Sequence, residues 1–351
     1  MTCPIEPHNE PSCTYGMTSH KKIWSWHGAA LRIGGSVLAL LLLFHFLPLA
    51  EVWATLRELP AYVWLLVLAG YLAAHVVGIV KWRLMVNLGG AALSFRQAAR
   101  CYLSGLFSTL FLPSIVGGDF VRAGLALHIG RSKAGVLLGT FLARMLDFVA
   151  LGLLAAFGIL LVPSALSPET RRIFVIVGVA MAVLLAIIAP IVWWFPARRV
   201  SVRMRRRIVH LRRAALSTHR EPQYVLAALC LALFVQASFI WLMAQVANAT
   251  GLRLPFRAWL FGWPLAKLCA VIPITQGGIG IREAALAVLL VPFGARPTVT
   301  VAIGLAWEAI VIAGALLALL GAFLLGRFCV GNAAPVVNSE AASETPSLPQ
   351  R

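Results

Sequence analysis

LPSIVGGDFVRAGLAL, residues 112–127, and IPITQGGIGIREAALAV, residues 272–288, decide how this chain is read. At an offset of 160 residues, Pro113 matches Pro273 and Arg122 matches Arg282. Gly117 and Gly118 match Gly277 and Gly278 in the same register. Proline ends a helix because it lacks an N–H and clashes with the preceding turn. A glycine pair permits a tight reversal at dihedrals other residues avoid. Each stretch therefore reads as a broken helix that enters an apolar layer and turns back.

The rest of the chain supplies that layer. Of 351 residues, 60% are hydrophobic and 12% charged, about half the charged share of a soluble domain. Apolar runs of spanning length lie at about 33–50, 62–80, 135–162, 173–195, 223–246 and 299–326. About 20 such residues cross a hydrocarbon core. The stretches at about 102–116 and 258–276 are too interrupted for ordinary spans. The fold class is an all-α polytopic membrane protein with six transmembrane helices and two re-entrant hairpins.

Charge sets the expected orientation. The net charge is +18, which in a soluble chain would suggest nucleic acid. Here the basic residues cluster in short segments between apolar runs, the pattern of the positive-inside rule, so no nucleic acid partner is expected. Segments 81–101, 119–134 and 197–222 are basic, whereas 51–61 carries only Arg57. The reading is an inner (plasma) membrane protein with both termini cytoplasmic. Three spans separate the two motif copies, and an odd number of crossings reverses the second. That is an inverted-topology repeat, with halves at about 29–162 and 173–328. Residues 1–28 read as a polar cytoplasmic N-terminus, with Met17 a second candidate start. Residues 329–351 read as a disordered cytoplasmic tail. Segment 197–216 reads either as a basic amphipathic helix on anionic lipid or as an ordinary positive loop.

Candidate functional residues follow from the breaks. A half-helix starting after the glycines presents unpaired N–H groups and a positive dipole end. Arg122 and Arg282 add fixed charge four residues on, and Glu283 abuts Arg282. An anionic headgroup suits that set, since arginine contacts phosphate bidentately. The plainer alternative is a structural hairpin with interfacial arginines. Arg144 and Asp147 lie three apart within one span, as a substrate or proton relay or as a mutual ion pair. Lys267 lies in the second broken stretch. Glu308 lies in the last span, where function including ion coupling is one reading. His45 and His75 read as bundle-facing polar residues.

Nothing points to a resident cofactor or metal. The six cysteines, Cys3, Cys13, Cys101, Cys230, Cys269 and Cys329, form no C-x-x-C pair. No acid pair, nucleophile triad or metal motif supports an enzyme. A homo-oligomer is compatible with the sequence.

IPITQGGIGIREAAL resembles the signature of the lysylphosphatidylglycerol synthase transmembrane-region family, also called the flippase-like domain family. LPSIVGGDFVRAGLAL and FLARMLDFVALGLL, residues 141–154, resemble its other characteristic stretches. The resemblance covers about residues 30–328. It implies an integral-membrane lipid-handling domain that binds and translocates a phospholipid, hopanoid or lipid-linked headgroup. The alternatives are an accessory protein of envelope-lipid biosynthesis and, further off, a membrane transferase. It also implies membrane lipid and envelope-lipid biosynthesis proteins as partners. Lipid aminoacylation is not carried over, because no segment here resembles the soluble aminoacyl-transferase half of the bifunctional members. Ala143 stands where members often have an acidic residue.

Overall fold

The computed structural model describes residues 53–55, 57–111, 117–162, 221–270 and 278–330. The expected spans at 33–50 and 173–195, the basic segment 197–216, residues 331–351 of the tail, and Pro113, Pro273 and Gly277 lie outside them, as does His45.

The described residues form helices α1 (Ala61–Leu88), α2 (Phe95–Ser108), α3 (Gly117–Ile129) and α4 (Lys133–Leu161), then α5 (Pro222–Ala249), α6 (Phe256–Cys269), α7 (Ile281–Leu290) and α8 (Pro297–Val330). No strand occurs among them. Four helices, α1, α4, α5 and α8, are long and apolar enough to cross a membrane. A helix of 28 residues measures about 42 Å at 1.5 Å per residue. The 14 residues of α2 reach only about 21 Å.

Local sequence explains the helix starts. Ser94 opens α2 with a reciprocal cap, its Oγ accepting from Gln97 N while Gln97 Oε1 accepts from Ser94 N at 2.9 Å. Ser132 Oγ accepts from Gly135 N to open α4, and Pro222 occupies the first turn of α5. At the other end, α8 runs to Val330, two residues into the expected tail.

Each broken stretch folds as a pair of short antiparallel helices. In the first pair, Arg131 N donates to Ala91 O at 3.0 Å across the open end. Near the closed end, Gly105 and Gly118 bring the two backbones together: a Cβ on Gly118 would lie 2.6 Å from Gly105 O. In the second pair, Gly278 meets Ala270 at the closed end, and Gly262 faces Leu286 and Leu290 at the other.

The order long, short, short, long thus occurs twice. The first pair's α2 packs on α8, and the second pair's α6 packs on α4. Helix α1 packs along α5 in the opposite direction, with Gly70 beside Leu242 and His75 beside Phe239. Small residues allow the closest crossings. A Cβ on Gly139 of α4 would meet Val86 Cα of α1 at 2.5 Å.

One expectation is corrected here. The run at 62–80 and the basic segment 81–101 put Lys81 at the start of a loop. Instead α1 continues to Leu88, and Lys81 is buried at 4% exposure. The apolar run stops at Lys81, but a buried partner carries the helix on.

Candidate functional site

A cavity of about 550 Å³ lies where the two helical pairs meet the long helices, and all eight helices contribute to its lining. Its wall mixes ionic groups with aromatic rings. Lys81, Arg122, Arg144, Lys267 and Arg282 line it, together with Asp119, Asp147 and Glu308. Asp147 is residue 15 of the 29 in α4, so it sits about 21 Å along a helix of about 43 Å. Charges at mid-helix are costly unless paired or facing a cavity. Both conditions hold here.

The ion pairs run between helices. Lys81 Nζ of α1 donates to Asp147 Oδ1 of α4. Asp119 of α3 serves two arginines: Arg122 Nη2 lies 2.7 Å from its Oδ1, and Arg144 Nε of α4 lies 2.9 Å from its Oδ2. Cross-helix partners thus replace a purely mutual Arg144–Asp147 pair.

Arg282 is bound from both sides. Its Nε donates to Glu283 Oε1 at 3.0 Å, and its Nη2 donates to Glu308 Oε2 at 2.8 Å. Glu283 is fully buried, and its Oε2 accepts from Gly280 N at 2.7 Å. Gly280 has φ +87°, a left-handed conformation that favours glycine. The G-x-R-E spacing therefore puts a carboxylate under the start of α7, capping the helix and fixing the arginine.

Aromatic rings pack beneath the charges. Tyr71 stacks on Phe239 at 5.6 Å, and Trp263 meets Trp307 edge-on at 5.2 Å. The Arg282 guanidinium lies 5.5 Å from the Trp263 ring centre. Arg122 lies 5.4 Å from Trp82 and 5.2 Å from Tyr102. Lys267 Nζ lies 5.0 Å from Phe239 and donates to Gln236 Oε1 at 2.9 Å. His75 Nδ1 bonds Tyr102 Oη at 3.1 Å. His75 Nε2, Arg122 Nε and Trp263 Nε1 are among the buried polar atoms that have no hydrogen-bond partner among the described residues.

Of the residues singled out by sequence, Gly118, Arg122, Arg144, Asp147, Lys267, Arg282 and Glu308 meet at this one cavity. Glu283 sits behind Arg282, and Gly117 is buried at the first turn of α3. Gly278 holds φ +81° at the closed end of the second pair. Glu308, which looked isolated in sequence, has Arg282 as partner. Sequence reasoning missed Asp119, Gln236 and the pairing role of Lys81. A signal existed for Asp119, which precedes Arg122 by one helical turn inside the quoted motif. Gln236 offered none.

Among the described residues, no group of three or more His, Cys, Asp or Glu side chains could hold a metal ion. The family model of the lysylphosphatidylglycerol synthase TM region matches residues 29–324. No curated protein and no solved structure gave a significant match.

Proposed function

Because the chain belongs to the lysylphosphatidylglycerol synthase TM-region family, a family of membrane proteins in lipid metabolism, we propose that it binds a lipid headgroup in the central cavity and moves it across the bilayer. One observation carries the reading: a mid-bundle cavity of about 550 Å³ with an ionic and aromatic wall, built by both helical pairs. A headgroup needs polar partners at that depth, and acyl chains need an apolar exit. The lysines and arginines of the wall supply donors for such a guest. The headgroup-binding set is Arg122 and Arg282 with Glu283, Gly117, Gly118 and Gly278, to which the sequence motif adds Gly277.

The proposed architecture is six spans with two opposed re-entrant pairs, repeated in inverted order. The duplicated helix order and the antiparallel α1–α5 contact support it. The charge pattern supports an inner (plasma) membrane protein with both termini cytoplasmic. The protein acts without a catalytic step of its own.

The experiment is reconstitution into vesicles carrying a fluorescent phospholipid in both leaflets, followed by reduction of the outer-leaflet label. A cysteine at position 57, expected on the outer face, scores insertion by labelling. The expected result is label loss beyond the accessible half, in proportion to protein. Loss limited to that half in correctly inserted protein refutes translocation and favours an accessory role in lipid delivery.

A further inference from the structure

Charge at the cavity does not balance. Five cations gather there against four carboxylates, Asp119, Asp147, Glu283 and Glu308. Arg282 has two carboxylates, Lys81 has one, and Arg122 and Arg144 share Asp119. Lys267 alone of the five has no carboxylate within 4 Å among the described residues. The chain has twelve acidic residues, and the other eight, Glu6, Glu10, Glu51, Glu58, Glu169, Glu221, Glu340 and Glu344, fall outside every expected span and broken stretch. In particular the adjoining residues 271–277, VIPITQG, carry none.

What touches Lys267 is neutral, with Asp147 acting on it only from beyond 4 Å. Gln236 is 5% exposed, and its Oε1 takes one of the three ammonium protons. The Phe239 face and the C-terminal turn of α6 add partial negative charge, the latter about half an electron. A full counter-charge within 4 Å is lacking among the described residues, two ammonium donors are left over, and Lys267 lines the cavity.

We propose that Lys267, positioned by Gln236, is the anchor for the single negative charge of a phosphodiester headgroup. The inference rests on the reading of the cavity as a headgroup site, and it moves the main anion contact from the arginines, already matched by acids, to this lysine. Bound phosphodiester neutralises the cavity, and Arg122 and Arg282 on the same wall supply further positive charge around it.

Native mass spectrometry on full-length protein tests this with two lipids, phosphatidylglycerol and a galactosyl diacylglycerol that has no phosphate. Wild type retains phosphatidylglycerol preferentially. Lys267→Met lowers that retention about tenfold, the worth of one charge-assisted hydrogen bond, and Lys267→Arg restores most of it. Thermal unfolding gives the second readout. Without lipid, Lys267→Met stays close to wild type in stability, because loss of an uncompensated charge offsets the stranded Gln236 oxygen, and phosphatidylglycerol raises its Tm less than that of wild type. Undiminished phosphatidylglycerol retention by Lys267→Met overturns the anchor and leaves the headgroup reading standing. Equal retention of both lipids by wild type overturns the headgroup reading itself. Millimolar inorganic phosphate is added as a competitor and is expected not to displace the lipid. Displacement, with Lys267-dependent stabilisation by phosphate alone, overturns lipid as the source of the anion.

Discussion

Removing Glu283 and Glu308 separately and together tests how the Arg282 cluster is built. The cluster holds one cation and two carboxylates, with Arg282 and Glu283 both buried. Glu308→Gln leaves a neutral Arg282–Glu283 pair, and the new amide oxygen still accepts from Arg282. Its cost is about 1 kcal/mol, one charge-assisted bond weakened. Glu283→Gln is harsher. Glu283 Oε1 accepts from Arg282 and Oε2 from Gly280 N. A glutamine has one acceptor, so one side meets a donor facing a donor, at a cost of about 2–3 kcal/mol. The double variant leaves Arg282 buried without a carboxylate, an unpaired charge that adds on the order of 2 kcal/mol to the two single losses. The losses are therefore more than additive, with a coupling energy on the order of 2 kcal/mol. Thermal and denaturant unfolding of the four purified forms in detergent measures the cycle. At about 2–4 °C per kcal/mol, the singles fall by a few degrees and the double by roughly 15 °C. A double variant equal to the sum of the singles, or Glu308→Gln costing more than Glu283→Gln, refutes the shared-cation account.

Two further predictions follow the same logic. Asp147→Asn strands Lys81, which is 4% exposed, and is expected to cost about 3–5 kcal/mol in unfolding experiments, whereas Lys81→Met with Asp147→Leu recovers most of the loss. Wild-type stability in Asp147→Asn argues against the pair. Gly118→Ala forces a methyl to 2.6 Å from Gly105 O and Thr109 Cγ2, a backbone clash worth about 1–3 kcal/mol. Gly124→Ala, with open space around the new atom, is neutral or stabilising by up to about 1 kcal/mol. Equal Tm values for the two alanine variants contradict the close approach.

The sequence by itself determined the solvent of this protein and its punctuation. Apolar runs of spanning length required a membrane, and the described runs at 62–80, 135–162, 223–246 and 299–326 became α1, α4, α5 and α8. The second motif marked a true backbone break, with positive φ at Gly278 and Gly280, whereas Gly117 and Gly118, expected to make the same reversal, lie in the first turn of α3, where Gly118 allows close packing on Gly105. Arg122, Arg282 and Glu308 were visible as charges that the bilayer would not tolerate without reason. What tertiary structure decided was pairing. Whether Asp147 meets Arg144 or Lys81 depends on which helix passes alongside, not on spacing within one helix. Lys81 shows this most clearly: its position after an apolar run signals a loop, and only the neighbouring Asp147 makes burial tolerable. Gln236 and the rings of Tyr71, Trp263 and Trp307 are ordinary residues of apolar helices until packing gathers them round one cavity. The excess cation at Lys267 also emerges only there, since net charge along a chain says nothing about which charges share a space.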